Sequence, residues 1–320
     1  MSFTKEITTI ANVSLPIGEQ WSIRRCRLTS DTPGPRICIT SGIHGDEMLG
    51  QLILYTLSRR IQEKCELLTG MVDLYPMLNP LGLDLNERMV PSHPRLDMNR
   101  AFPGTPDGTP LEHMCWAVLS DVMDADLILD IHAGISEKNE LFEVRIHHPS
   151  FEEKIPRVLS LCPDVIWIYP DLPAFESSLT GSLALMGKDA FILKVDTRSF
   201  LPSTDCDRLV SGILSKMADL GIWQDPAAVI RKPAGLFPVF HSGRDIIRIT
   251  CEHPGIYIPE PHLGEYVRPG QSLGQIVSAL EGTVLETVTA PCHGLIFTQR
   301  ACSAVYPGTL LARLGEEEEE

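Results

Sequence analysis

The 320-residue sequence is poor in aromatic residues, at 6%, and none of its nine cysteines forms a C-x-x-C pair. An odd number of scattered cysteines argues against a disulfide framework and fits a reducing compartment, so a cytoplasmic location is expected. Cys38, Cys115 and Cys162 lie inside apolar runs, where a reduced thiol acts as a small core residue. No apolar run reaches the ~18 residues of a membrane span. The start, Met1 to Glu6, lacks the basic segment and apolar stretch of a secretory leader. Basic residues are in deficit, 27 Lys and Arg against 42 Asp and Glu, for a formal charge of −15. A binder of phosphate backbones or anionic membranes needs a basic face, so neither partner is expected. A small acidic substrate in a local basic pocket remains compatible with this charge. Neither G-x-x-x-x-G-K-[ST] nor G-x-G-x-x-G is found.

Apolar residues make up 43% of the chain, enough to fill a core. The first two-thirds alternate between strand-like and helix-like segments. Strands are expected at 36–40, 71–75, 127–131, 164–169 and 190–195. A helix is expected over 47–64, where Leu49, Leu52, Ile53, Leu57 and Ile61 recur at helical spacing, and another over 205–220. Thr109-Pro110-Leu111-Glu112 reads as a helix start with a capping box and proline in the first turn. This order predicts an α/β fold, a three-layer sandwich around a mostly parallel mixed sheet, over residues 1–234. Residues 235–314 carry only short β-type runs between Gly and Pro and are expected to form a small all-β domain. Residues 315–320 are expected to be a disordered acidic tail.

The sharpest chemical feature is Ser41-Gly42-Ile43-His44-Gly45-Asp46-Glu47, where a buried strand gives way to glycines and a helix. His44 and Glu47 can both turn toward one point above the strand ends, where open α/β sheets bind ligands. A neutral imidazole and a carboxylate suit Zn²⁺, and a catalytic site needs a third protein ligand and an open position. His132, at the end of Leu127-Ile-Leu-Asp-Ile-His132, is the natural third ligand. H-x-x-E alone is a weak pattern, since His262 to Glu265 repeats it without the strand-to-helix setting. Asp130 shares a strand face with His132. It either hydrogen-bonds the free imidazole nitrogen or points into a polar loop layer.

Further motifs follow in order: Asn79-Pro80, Arg88-Met-Val-Pro91, Asp97-Met-Asn-Arg-Ala-Phe-Pro-Gly104, Gly270-Gln-Ser-Leu-Gly274 and Ala290-Pro-Cys-His-Gly294. Together with the His44–Glu47 segment and Asp130-x-His132, they resemble the succinylglutamate desuccinylase/aspartoacylase family of zinc-carboxypeptidase-like hydrolases. The resemblance covers nearly the whole chain and extends to the longer bacterial members with a C-terminal β domain. It implies that this domain is barrel-sandwich-like, and no lysine stands at a tip where it could be modified.

The resemblance also implies a zinc-dependent amidohydrolase that removes the acyl group of an N-acyl amino acid by metal-activated water. His44, Glu47 and His132 would hold one Zn²⁺. Asn99 and Arg100 would hold a substrate carboxylate, with Asp97 supporting the arginines, and Arg88 would stabilise the oxyanion. In the stretch matching the family's base-bearing strand, Asp196 takes the place of a Glu and the glycines after it are missing. Asp196 is the expected general base, with Glu176 or a site without turnover as the other outcomes. A peptide-cleaving carboxypeptidase and a metal-bound binding protein are the rival readings, and self-association is left open. His113, His147 and His148 are expected at the surface, and Tyr257 in packing. A cysteine nucleophile is not expected, because none lies at a glycine-framed strand-to-helix turn.

Overall fold

The computed structural model describes residues 3–16, 18–91, 96–134, 137–147, 151–170, 173–196, 204–230 and 237–317. Its centre is a nine-stranded sheet in the order β1-β2-β4-β3-β5-β9-β7-β8-β10. The strands are β1 (Phe3–Ser14), β2 (Gln20–Ser30), β3 (Arg36–Ser41), β4 (Met71–Tyr75), β5 (Leu127–Ala133), β7 (Glu143–His147), β8 (Val165–Tyr169), β9 (Ala190–Val195) and β10 (Val239–His241). β4, β3, β5 and β9 run parallel, as do β7, β8 and β10, and these two blocks meet antiparallel at β9–β7. The expected mostly parallel mixed sheet is therefore present.

Helices cover both faces and make the three layers. On one face α1 (Leu49–Glu63), α4 (Phe151–Val158) and α7 (Thr204–Asp219) bury Ile53, Leu57, Ile61, Val158, Val210 and Ile213 against Ile37, Ile39, Leu129 and Phe191. On the other, α3 (Pro110–Val122) and α6 (Leu179–Leu185) bury Met114, Val118, Leu179 and Leu183 against Cys38, Tyr75 and Ile128. The Thr109–Glu112 capping box forms as expected. α1 begins at Leu49, two residues later than expected, so Glu47 lies on the loop before the helix.

Nothing in the sequence pattern announces the β1–β2 hairpin. Ala11 is the only residue of β1 that is buried, so the strand has little apolar alternation and is held by backbone pairing to β2. β2 itself buries Trp21, Ile23 and Leu28.

The C-terminal region forms two antiparallel sheets. One runs β11 (Ile246–Thr250), β18 (Leu310–Glu316), β16 (Gly294–Arg300) and β13 (Tyr266–Val267), with β6 (Lys138–Glu140) pairing β16. The other runs β15 (Thr283–Thr289), β14 (Ser272–Ser278), β12 (Gly255–Pro259) and β17 (Ser303–Val305). Tyr257, Leu273, Ile276, Ile296, Leu311 and Leu314 belong to one buried cluster that joins the two.

Two details correct the expected division at residue 235. β10 lies beyond it yet belongs to the nine-stranded sheet, and β6 comes from the first part of the chain yet extends the C-terminal sheet. A shared cluster of Val165, Trp167, Ile192, Phe240, Leu295 and Phe297 joins the two parts, with the Phe240 and Phe297 rings stacked at 5.7 Å. The expected tail also begins later, because Gly315 and Glu316 pair in β18. Residues 318–320 lie outside the described residues.

Candidate metal centre

The site sits at the carboxyl ends of β3 and β5. After β3 the chain turns at Gly42, whose φ of +67° suits glycine. Gly45 then passes so close to α2 (Pro80–Leu85) that a Cβ on it would lie 2.0 Å from the Gly82 carbonyl carbon. Asn79 explains the Asn-Pro motif: its side chain accepts from the Gly82 N–H and donates to the Met89 carbonyl, fixing the segment that packs on this loop.

These constraints bring His44, Glu47 and His132 together, all buried, with one ligand atom of each within 4.8 Å of the others. His44 Nδ1 is 3.0 Å from Glu47 Oε1, and His132 Nδ1 is 3.1 Å from Glu47 Oε2. The backbone N–H of Ala133 donates to Glu47 Oε2 at 3.0 Å. The far nitrogens are held as well: His44 Nε2 lies 3.0 Å from Asp97 Oδ1, and His132 Nε2 lies 2.9 Å from Asp130 Oδ2. Each imidazole thus has a carboxylate on Nε2 and aims Nδ1 at the shared centre. A carboxylate behind a ligating imidazole fixes its tautomer and ring orientation. Two imidazole nitrogens, each beside an oxygen of one shared carboxylate, form a donor set that fits Zn²⁺.

The geometry settles one open point and revises one expectation. Asp130 takes the hydrogen-bonding role with His132. Asp97 holds His44 and the Asn99 N–H, while Arg88 Nη2 is 3.9 Å away, so its main partner is an imidazole and not an arginine.

The charges act on one another. Burial alone would raise the Glu47 carboxyl, but Lys194 and then His132 outweigh it and hold Glu47 well below the ordinary carboxylate range. Burial opposes charge on His132, yet Asp130 and Glu47 prevail and raise it to about 9. Burial likewise works against the Asp97 carboxylate, but the His44 hydrogen bond and charge lower it to about 2.

A cavity of about 100 Å³ opens on the triad, lined also by Arg88, Asn99, Arg100, Arg145, Tyr169, Phe175, Ser178, Ile192 and Lys194. Arg88 Nη1 donates to Glu47 Oε1 at 3.1 Å. Asn99 Oδ1 accepts from the Leu179 N–H, tying the Asp97–Arg100 turn to the start of α6. Arg100 is exposed at the rim, and its Nη1 donates to the Asn99 carbonyl at 2.6 Å. Four cations and one carboxylate therefore line this space.

Asp196 does not line this cavity. β9 ends at Val195, and Asp196 lines a neighbouring cavity of about 530 Å³ with Leu49, Ile53, Cys206 and Leu209. Pairing in register with β5 places Lys194 opposite His132, so the charged β9 side chain at the triad is a lysine. Counting alternate residues along β9 from its pairing with β5 would have found it. Glu176 is exposed on α5 (Pro173–Glu176) and does not line the site. Arg145 and Tyr169 were also missed, because β7 and β8 reach the site only through sheet order.

Of the remaining histidines, His147 is buried against Thr180 Oγ1 at 2.9 Å, contrary to the surface placement, because β7 is an inner strand. His113 is partly exposed beside Trp116, and His148 lies outside the described residues. His262 pairs with Glu265 at 2.8 Å and with the Ser272 carbonyl at 3.0 Å, and among the described residues the one possible metal-holding group is the triad. Tyr257 is fully buried and donates to the Leu273 carbonyl. No helix among the described residues is long and apolar enough to cross a membrane.

The sequence profile of the Succinylglutamate desuccinylase/Aspartoacylase catalytic domain matches residues 33–192, which contain the whole triad. The chain belongs to this family. Over 102 residues it is 35% identical to N-alpha-acetyl-L-2,4-diaminobutyric acid deacetylase of Halomonas elongata, a match covering 32% of this chain and 29% of that relative's length. The fold resembles the crystal structure of succinylglutamatedesuccinylase/aspartoacylase from Rhodobacter sphaeroides, with a TM-score of 0.80 at 20% identity over 99% of this chain and 96% of the other. It also resembles the product-bound ectoine utilization protein EutE (DoeB) of Ruegeria pomeroyi, with a TM-score of 0.81 at 18% identity over 98% and 95%. The similarity to both structures spans the C-terminal β region as well as the family domain.

Proposed function

We propose that the protein is a zinc-dependent hydrolase that cleaves the amide bond of a small N-acyl amino acid. The observation that carries this reading is the His44–Glu47–His132 cluster, with Nδ1 of both imidazoles aimed at one point and Nε2 of both held by carboxylates. A divalent ion bound there would supply Lewis-acid polarisation of an acyl carbonyl and activation of a water. Family membership and the deacetylase relative support amide cleavage, and the small cavity with its four cations favours a compact substrate bearing a carboxylate.

The chain's own residues then take these roles. Arg100 at the rim holds the substrate carboxylate, aided by Asn99. Arg88 stands beside Glu47 and donates to the carbonyl oxygen as negative charge develops on it. Asp97 and Asp130 keep the two imidazoles oriented. Lys194 adds positive charge at the inner wall, which favours an anionic oxygen there.

A second reading has one specific observation behind it. Glu47, itself a ligand, is the single carboxylate among the described residues lining the cavity. With a lysine on β9 and Asp196 in the neighbouring space, a protein that holds metal and an acyl amino acid without turning it over is the alternative.

The test is elemental analysis of the purified protein, then a panel of N-acetyl and N-succinyl amino acids and C-terminally free dipeptides with Zn²⁺ supplied. Release of free amino acid from the acyl compounds, abolished in His132→Ala, supports the hydrolase. Dipeptide cleavage without deacylation would make the protein a carboxypeptidase. Stoichiometric zinc and saturable ligand binding without product would establish the binding protein.

A further inference from the structure

Lys194, Glu140 and Arg313 form a file of charges from the triad into the C-terminal sheets. The Lys194 ammonium donates to the Ala133 carbonyl. It also stands between two carboxylates, 3.7 Å from Glu47 Oε1 and 3.8 Å from Glu140 Oε2. Both distances exceed a hydrogen bond, so the ammonium is balanced between the carboxylates by Coulomb attraction. The other Glu140 oxygen lies 3.5 Å from Arg313 Nη1 and 3.9 Å from Arg145 Nη2. Arg313, on β18, also donates to Thr298 Oγ1 and stands over the Trp167 ring at 5.1 Å. Glu140 is buried on β6 and paired opposite Thr298, so this carboxylate belongs to the five-stranded C-terminal sheet although it points toward the metal centre. Gly134 keeps the approach open, since a Cβ there would come within 3.3 Å of Glu140 Oε2.

We propose that Glu140 is a positioning residue of the metal centre: it holds the Lys194 ammonium back from Glu47, leaving to the ion the carboxylate lone pairs that Arg88 and the Ala133 N–H do not take, and Arg313 anchors it so that the C-terminal sheet completes the site. The inference rests on reading the triad as a metal centre. An ammonium closed onto a ligand carboxylate competes for its lone pairs and repels an incoming cation in a poorly screened interior. Without the Glu140 charge, the bond to the Ala133 carbonyl holds the ammonium with no second carboxylate to offset the pull of Glu47, and the ammonium moves toward Glu47. Without Lys194, Glu140 has nothing to hold back, and its influence on the ion shrinks to direct attraction through space.

The test is a double-mutant cycle read by Zn²⁺ affinity in chelator competition: wild type, Glu140→Gln, Lys194→Met and the double variant, each checked for folding by circular dichroism. The expected result is a loss of about 10- to 100-fold in Glu140→Gln, the range typical of partners behind a ligand. In the Lys194→Met background the same change is expected to cost no more than about twofold. Unchanged affinity in Glu140→Gln, or an equal loss in both backgrounds, would overturn the proposal. If Glu140→Gln does not fold, Arg313→Met is measured in the same two backgrounds and judged by the same rule. A wild type that takes up no zinc, or a His132→Ala variant that binds as tightly, sinks the metal centre along with this inference. Additive losses in a protein that does bind zinc through His132 sink this inference alone.

Discussion

Raising the pH of the metal-free protein removes a proton from His132, and the structure fixes the consequence. The His132 imidazole lies between Asp130 and Glu47 and titrates at about 9 when folded, against about 6.5 in an unfolded chain. A folded pKa above the unfolded one gives stability that is complete below about pH 6.5 and disappears as pH climbs through about 9. The gap corresponds to about 3 kcal/mol at 1.36 kcal/mol per pH unit. With an unfolding entropy of roughly 2.1 cal/mol/K per residue, this lowers the melting temperature by about 5 °C. The same proton competes with an arriving ion, so zinc affinity at pH 7 should be about 100-fold below its high-pH value. The assay is the melting temperature of the metal-free protein from pH 6 to 9.5, compared with His132→Gln, alongside the NMR titration of the His132 ring. A midpoint near 6.5, or parallel stability curves in the two proteins, would refute the reasoning.

Other consequences are tested more briefly. His132→Ala should lose bound zinc, because two ligands hold it poorly, and elemental analysis after dialysis checks this. Arg88→Ala should keep its zinc while kcat for a cleaved acyl amino acid falls about 100-fold, and normal turnover would remove Arg88 from the oxyanion role. Gly45→Ala should lower both melting temperature and metal content, because the added methyl has only the Gly82 and Glu87 backbone to meet; an unchanged melting curve would show that the loop yields. Phe297→Ala should destabilise the chain by about 3–5 kcal/mol, measured by urea unfolding, since the buried ring joins the central sheet to the C-terminal sheet.

Much of the site was legible because its signals are local. His44 and Glu47 lie three apart in one glycine-bearing loop, and His132 ends a run of buried strand residues, so strand-end logic alone predicts their meeting. Thr109 and Glu112 announced α3 through a four-residue motif. The β1–β2 hairpin was illegible for the opposite reason, since an edge strand with one buried residue leaves almost no pattern. Asp196 was misplaced because it shares the Lys194 face only if the strand continues, and β9 ends at Val195, so alternation no longer sets its direction.

The layered α/β class, the three residues of the candidate metal centre and the motifs that mark the family were all readable along the chain. Hydrophobic period, caps and short spacings are properties of adjacent residues, and they carry that information without any partner. Tertiary structure alone decided that Lys194 faces the triad, that Asp97 and Asp130 stand behind the imidazoles, and that Glu140 and Arg313 reach toward the centre from the C-terminal sheet. Those relations depend on sheet order and register, which bring together residues as distant as Glu140 and Arg313. No local pattern encodes a pairing that forms only once the strands are assembled.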